Sequence, residues 1–169
     1  GKDEFLRLVE EEKKALSFQT VEIDTTAFDG AIPAPLVAAP KVTIEDVAAY
    51  EAWKKSNVIA QKQAGYVAIG IKVALGDFYT DKARALADLI KNYGANELRF
   101  TLRQDILIRN IKEENLPFFY QELAKLDFVT LGYNTINDVT ACPGTDTCNL
   151  GIASSTGIAV ELERVLATE

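Results

Sequence analysis

YVAIGIKV at residues 66–73 opens the stretch that decides the fold, which runs to Leu126. Its five pieces are, in order, YVAIGIKV (66–73), TDKARALADLIKNY (80–93), LRFTLR (98–103), ILIRNI (106–111) and ENLPFFYQELAKL (114–126). The first, third and fourth pieces are rich in β-branched residues or alternate apolar with polar side chains, which predicts strands. The second and fifth place their apolar residues on one helical face, which predicts helices.

The order of these pieces indicates the fold class. Strand, helix, strand, strand, helix is most of a split βαββαβ unit, the ferredoxin-like arrangement, and its last strand is expected at residues 128–133. We therefore predict an α+β fold built on this unit. Helices precede the unit, and a C-terminal helix follows it after a loop that contains both cysteines.

The flanking segments carry weaker patterns. Before the unit, the sequence predicts a helix at residues 3–17, a short strand at 20–25, an extended proline-rich crossing at 29–41 and a helix from Thr43 to Asn57. That last helix should bury Val47, Tyr50 and Trp53. After the unit, residues 149–169 are predicted to form a helix whose apolar face has no evident partner, which suggests a chain cut from a larger protein.

Composition disfavours several classes of function. Eighteen Lys and Arg against twenty-five Asp and Glu give a net charge of −7 over 169 residues, which disfavours a nucleic-acid partner. The longest uncharged apolar stretch, residues 30–40, is too short to cross a bilayer and contains three prolines, so no membrane association is expected. No secretory signal is visible at the start, which favours a cytoplasmic location.

Two residue types limit the chemistry. The chain has no histidine, which removes the usual general base and the most common metal ligand. Its two cysteines, Cys142 and Cys148, cannot complete a four-ligand metal site by themselves. We therefore predict no catalytic side chain in this sequence.

The segment TACPGTDTCNLG at residues 140–151 is the most informative candidate site. Two thiols six positions apart, in a loop with Pro and Gly, can turn to one face. Inward backbone N–H groups and the start of a following helix would then stabilise thiolates that bind metal. The same loop could instead bury two thiols or close a small disulfide loop, and the spacing alone leaves these alternatives open.

The strand LRFTLRQ at residues 98–104 is the second candidate site. Alternation would place Arg99, Thr101 and Arg103 on one side of a sheet, where guanidinium groups can bind carboxylates or phosphates. The alternative is a solvated strand face whose charges pair with nearby acids.

Four motifs, taken in order, resemble a known family. They are QKQAGY (61–66), LGD (75–77), LRFTLRQ (98–104) and TACPGTDTC (140–148). From about Tyr50 onward, their order and spacing resemble the second repeat of the nitrite and sulfite reductases that carry siroheme and an iron–sulfur cluster. In that family a ferredoxin-like half-domain leads into a cysteine loop. Four cysteines, one pair spaced by five residues and a later pair spaced by three, bind a four-iron four-sulfur cluster.

The resemblance implies roles for particular residues. Cys142 and Cys148 match the first pair of cluster ligands, which makes them the predicted metal ligands. Thr101, Arg103 and Gln104 match the strand-end motif that lies near the siroheme carboxylates, which makes them the predicted cofactor-binding residues. The two cofactors would carry the chemistry, while the protein positions them and compensates their charge.

The resemblance also implies an organisation of the chain. Residues 1–60 would connect to a preceding repeat, residues 61–135 would form the ferredoxin-like half-domain, and residues 136–169 would begin the domain that binds cluster and siroheme. The sequence holds no second cysteine pair. We therefore expect a fragment of a longer oxidoreductase that is inactive by itself and binds neither cofactor stably.

The implied function of the parent protein is reduction of nitrite to ammonia or of sulfite to sulfide. Its electron donor would be ferredoxin or a flavoprotein, although the acidic net charge disfavours docking of an acidic donor on this part of the protein. Two alternatives remain: a ferredoxin-like binding module with two incidental thiols, and a structural half-repeat that has lost its cofactor.

Overall fold

The computed structural model describes residues 1–16 and 32–166. The chain divides into two units, Gly1–Ala31 and Ile32–Glu169. In the first unit, helix α1 (Lys2–Ala15) confirms the predicted N-terminal helix, and none of its residues is buried. The strand predicted at residues 20–25 lies outside the described residues. No helix within the described ranges is long and apolar enough to span a membrane.

The second unit contains the predicted α+β core. Its helices and strands are α2 (Val47–Asn57), β1 (Val58–Ala60), β2 (Tyr66–Ile71), α3 (Thr80–Tyr93), β3 (Leu98–Phe100), β4 (Ile106–Lys112), α4 (Leu116–Lys125) and α5 (Ser155–Leu166). Short 3₁₀ turns lie at Ala74–Gly76, Glu113–Asn115 and Gly144–Asp146. The predicted order of strand, helix, strand, strand and helix is confirmed from β2 to α4.

The four strands form one antiparallel sheet in the order β1-β2-β4-β3. Strand β2 lies beside β4 in the centre, with Gly70 opposite Leu107 and Ile71 opposite Ile106. Strand β3 pairs with the other side of β4 as the predicted hairpin, with Phe100 opposite Ile106. The α+β, ferredoxin-like fold class is therefore confirmed.

One strand of the sheet comes from a different place in the chain than predicted. Residues 128–133 form no strand, and β1 occupies the edge of β2 that a last strand would take. Residues 61–65 are the whole connection between β1 and β2, so this hairpin closes at a smaller entropic cost than a strand returning after α4. Side chains at the end of α2 hold the displaced segment instead. Asn57 Nδ2 donates to the Thr130 carbonyl oxygen at 2.9 Å, and the Gly132 N–H donates to Ser56 Oγ at 2.6 Å.

The hydrophobic core joins the sheet to α2, α3 and α4. Its largest fully buried apolar side chains are Trp53, Phe119, Ile69, Ile71, Leu86, Ile106, Ile108, Ile111, Leu116 and Leu123. Tyr50 and Trp53 are buried as predicted, and their rings lie 5.3 and 5.1 Å from the ring of Tyr120. This core contains residues of β2 and β4, and β3 is held at its edge by pairing with β4, so the strand ends from which the candidate site extends are fixed.

The prediction that Val47 is buried is wrong, since its side chain is 58% exposed. Helix α2 begins at Val47 rather than at Thr43, because the Asp46 carboxylate acts as the N-cap and accepts the Ala49 N–H at 2.9 Å. Val47 therefore lies in the first turn of the helix, on the side that faces away from the core.

Candidate cofactor-binding site

The strand-end motif is a tight turn rather than the continuation of a strand. Strand β3 ends at Phe100, and the Thr101 N–H donates to the Asp105 carbonyl oxygen at 2.9 Å. The Thr101 hydroxyl oxygen accepts the backbone N–H groups of Arg103 and Asp105 at 3.2 and 3.3 Å. The predicted alternation therefore stops at Phe100. The prediction that Arg99 and Arg103 share a sheet face with Thr101 is wrong for this reason.

This turn contacts the cysteine loop directly. Gln104 Nε2 donates to the Ala141 carbonyl oxygen at 3.0 Å, and the Ala141 N–H donates to Gln104 Oε1 at 3.4 Å. Arg103 Nη1 donates to the Asp138 carbonyl oxygen at 3.4 Å. Two segments that were selected separately from the sequence thus meet in the structure, and Gln104 holds the residue that precedes Cys142.

Both predicted metal ligands lie on the surface of the loop. Cys142 and Cys148 are exposed free cysteines, so the alternatives of two buried thiols and of a disulfide are wrong. The Cys148 N–H donates to the Gly144 carbonyl oxygen at 2.8 Å, which folds the segment between the two thiols into a compact turn. Gly144 has a φ of +56°, and a Cβ there would lie 2.3 Å from Ser155 Oγ. Glycine is therefore required at this position of the loop.

The Cys142 thiol has polar neighbours that favour its charged form. Its Sγ lies 3.4 Å from Ser155 Oγ, and the single hydroxyl proton of Ser155 can be donated either to this sulfur or to the Cys142 carbonyl oxygen, which lies 2.7 Å away. The hydrogen bond with Ser155, followed by the backbone hydrogen bond of Gly144, lowers the pKa of the Cys142 thiol. Since Ser155 is the first residue of α5, the position of this helix determines the contact.

The donor set of the loop is a pair of thiols without further ligands nearby. Among the residues that the structure describes, no group of three or more His, Cys, Asp or Glu side chains is arranged to hold a metal ion. A metal centre built on Cys142 and Cys148 therefore needs ligands beyond these described side chains. Thiolates are the ligands that iron–sulfur clusters require, so the chemistry of the pair fits such a centre.

Adjacent to the turn lies a largely buried cluster of ionisable side chains that the sequence analysis missed. Its members are Lys72, Asp105, Tyr133, Asp138 and Glu163. Asp105 is fully buried, and its Oδ1 accepts the Val73 N–H at 2.8 Å. Burial raises the pKa of Asp105 to about 7; the hydrogen bond from Val73 opposes this rise and the neighbouring Asp138 adds to it. The available signal was an acid directly before the buried strand ILIRNI.

Tyr133 connects this cluster to the sheet. A Cβ on Gly70 would lie 2.3 Å from the Tyr133 ring, so the ring packs directly against the backbone of β2. Burial, followed by the charges of Asp105 and Asp138, raises the pKa of the Tyr133 hydroxyl. The absence of a side chain at Gly70 thus lets the loop after α4 approach β2 and bring Asp138 close to Asp105.

Comparison with known proteins identifies the half-domain. Residues 59–126 match the family described as the Nitrite/Sulfite reductase ferredoxin-like half domain. The half-domain of this chain belongs to the nitrite/sulfite reductase family. The matched residues run from β1 to the end of α4. The match therefore reaches into β1, the edge strand of the sheet, and does not include residues 128–133, where the sequence had predicted the edge strand.

Several curated relatives of this chain are ferredoxin–nitrite reductases. The protein of Synechococcus elongatus is 27% identical over 139 residues, which cover 80% of this chain and 26% of the relative. The chloroplastic protein of Betula pendula is 30% identical over 129 residues, covering 74% of this chain and 21% of the relative. That of Arabidopsis thaliana is 31% identical over 104 residues, covering 59% and 18%. The chain thus spans about a fifth to a quarter of the length of the relatives it matches.

Proposed function

We propose that this chain is the part of a nitrite reductase that holds one pair of iron–sulfur cluster cysteines against a ferredoxin-like half-domain. The observation that carries the proposal is the paired hydrogen bonding between Gln104 and Ala141, which joins the strand-end turn to the residue before Cys142. Both segments matter because one would contact siroheme and the other would bind the cluster. The relatives named above support nitrite reduction as the activity of the whole protein.

Cys142 and Cys148 would be two of the four thiolate ligands of a four-iron four-sulfur cluster. Their exposure leaves both sulfur atoms accessible to iron, and the lowered pKa of Cys142 favours the thiolate that iron binds. The remaining ligands would come from outside this sequence, which contains two cysteines in all. The segment from residue 136 onward would accordingly begin the domain that binds the cofactors, after a half-domain at residues 61–135 and a connecting segment at residues 1–60.

Arg103 would compensate the negative charge of siroheme. Its side chain extends from the turn beside the cysteine loop, and a guanidinium group is suited to a bidentate contact with a carboxylate. Thr101 and Gln104 would help to seat the macrocycle by fixing the turn, since Thr101 accepts two backbone N–H groups and Gln104 holds Ala141. When bound, the two cofactors supply the electron transfer to the substrate, while these side chains orient them.

Nitrite and ferredoxin are the substrate and electron donor that we assign to the whole protein. Every relative named above carries both words in its name, whereas sulfite and a flavoprotein donor have no such support. The net charge of −7 suggests that an acidic ferredoxin docks on a part of the protein outside this chain. The cytoplasmic location stays a prediction, since the relatives include chloroplastic proteins.

Iron analysis of two cysteine variants tests the ligand assignment. In the intact protein, purified without oxygen, Cys142→Ser and Cys148→Ser should each lose the cluster iron, because serine does not replace a cluster thiolate well. Thr147→Ser, an exposed substitution in the same loop, should keep it and serves as the control. Full iron content and full nitrite reduction in both cysteine variants would refute the assignment of Cys142 and Cys148 as cluster ligands, whereas an intact protein that contains no iron would favour the alternative of a binding module with incidental thiols.

A further inference from the structure

Helix α5, which begins at the cysteine loop, buries little apolar surface. Among its described residues only Ala159 is buried, whereas Ile158, Val160 and Leu162 are each about half exposed. The helix contacts the 3₁₀ turns at Ala74–Gly76 and Gly144–Asp146. Because hydrophobic burial is small, specific polar contacts must determine where the helix lies.

Lys72 makes the polar contact between α5 and the sheet. It follows the last residue of β2, and its side chain is only 7% exposed. Lys72 Nζ lies 3.2 Å from Glu163 Oε1 of α5 and donates a hydrogen bond to the Asn137 carbonyl oxygen. Glu163 Oε1 is buried and receives no hydrogen bond within the described ranges, so the ion pair with Lys72 is what compensates its burial.

We propose that Lys72 is a positioning residue, which fixes α5 and the segment entering the cysteine loop on the end of β2. Polar side-chain contacts hold helix α5 at two places about 12 Å apart along its axis: its first turn, where Ser155 and Thr156 contact the cysteine loop, and Glu163, which pairs with Lys72. Two attachment points set the orientation of a helix, which one contact cannot do. Lys72 thereby determines where Ser155 meets Cys142, and only this consequence for a cluster ligand rests on the proposed function.

The charges around Lys72 make its replacement costly. Asp105 and Asp138 lie in the same buried cluster as Glu163, and Arg103 approaches it from the turn. Removing the lysine charge would leave the buried Oε1 of Glu163, whose side chain is 21% exposed, without a partner, and an unpaired carboxylate oxygen that is shielded from water is destabilising. We therefore expect α5 to detach locally while the sheet stays folded, since β2 and β4 belong to the hydrophobic core.

Amide hydrogen exchange, read by mass spectrometry on the intact protein, tests this inference. Lys72→Met should accelerate exchange in residues 155–166 by about 100-fold, and Glu163→Gln by at least about tenfold, with β4 unchanged. The matched control is Glu161→Gln on the same helix, whose partner Arg164 is exposed, and it should change exchange by less than about threefold. Lys62→Met, at an exposed lysine, controls for the loss of a positive charge.

A double variant separates positioning from a general loss of stability. Adding Glu163→Met to Lys72→Met removes the unpaired carboxylate. Exchange in residues 155–166 should therefore be at least about tenfold slower in the double variant than in Lys72→Met alone, whereas a nonspecific second defect would not slow it. Unchanged exchange in α5 after both Lys72→Met and Glu163→Gln would overturn the inference. Iron content plays no part in this readout, so a failure of the proposed cluster assignment would be recognised separately.

Discussion

Replacing Asp105 by asparagine should stabilise the protein above neutral pH. Asp105 is fully buried, and its pKa is raised from the usual 3.8 to about 7, first by burial. At pH values between about 4 and 7, the Asp105 carboxyl keeps its proton in the native state and loses it in the unfolded state. The free energy of unfolding therefore falls as the pH rises through this range, and it levels off above pH 7. Each pKa unit corresponds to about 1.4 kcal/mol, which sets an upper limit of about 4 kcal/mol for the effect.

The asparagine variant keeps the shape and the hydrogen bonds of the site. Its Oδ1 can accept the Val73 N–H that Asp105 now accepts at 2.8 Å, and its amide group can donate toward Asp138. The second amide hydrogen needs a partner, which costs about 1–2 kcal/mol if none is found. We therefore expect Asp105→Asn to raise the free energy of unfolding by about 2 kcal/mol at pH 8, or the melting temperature by about 4–8 °C.

Urea unfolding at pH 4 and pH 8 measures this prediction. The variant should be about 2 kcal/mol more stable than the parent at pH 8 and about 1–2 kcal/mol less stable at pH 4, where the penalty from the raised pKa of Asp105 has nearly vanished and only the cost of the second amide hydrogen remains. Asp88→Asn, at an exposed position of α3, is the control and should shift stability by less than about 0.5 kcal/mol at either pH. An Asp105→Asn variant that is less stable than the parent at pH 8, or equally stabilised at both pH values, would refute the reasoning.

Three further substitutions test other parts of the fold. Gly70→Ala should lower the free energy of unfolding by about 2 kcal/mol or more in urea unfolding, because a Cβ there would lie 2.3 Å from the Tyr133 ring, and adding Tyr133→Leu should recover part of the loss. Asn57→Ala should lower the free energy of unfolding by about 2–3 kcal/mol, because the fully buried amide donates to the carbonyl oxygens of Gly70 and Thr130. Residues 128–133 should also exchange amide hydrogens faster in this variant than in an Asn92→Ala control. Gln104→Glu should loosen the cysteine loop more than Gln104→Ala does, since a carboxylate would face the Ala141 carbonyl oxygen, and equal hydrogen exchange of residues 140–148 in the two variants would contradict this.

The sequence alone predicted the structure correctly where the local sequence pattern and the tertiary packing favour the same element. The helix predicted at residues 80–93 has those bounds in the structure, because its apolar face, its polar first turn and Gly94 all favour one helix. Cys142 and Cys148 could be singled out because their loop is a recognisable motif, and their role as metal ligands stays a prediction. The ferredoxin-like order of elements followed from the same local patterns.

Other features depended on contacts between distant parts of the chain. The edge of β2 could be taken by residues 58–60 or by 128–133, and only the short hairpin and the side chains of Ser56 and Asn57 decide between them. The buried charges of Lys72, Asp105 and Glu163 are ordinary polar residues in the sequence. Their burial results from contacts between distant segments of the chain, so no local sequence pattern indicates it.

The central claim is that this chain carries cluster cysteines of a nitrite reductase, and a visible absorption spectrum with an iron count tests it most directly. The intact protein, purified without oxygen, should show siroheme absorption and about five irons per chain, four in the cluster and one in the macrocycle. Adding nitrite should then shift the siroheme bands. A colourless protein that contains no iron and cannot be reconstituted with iron and sulfide would contradict the claim.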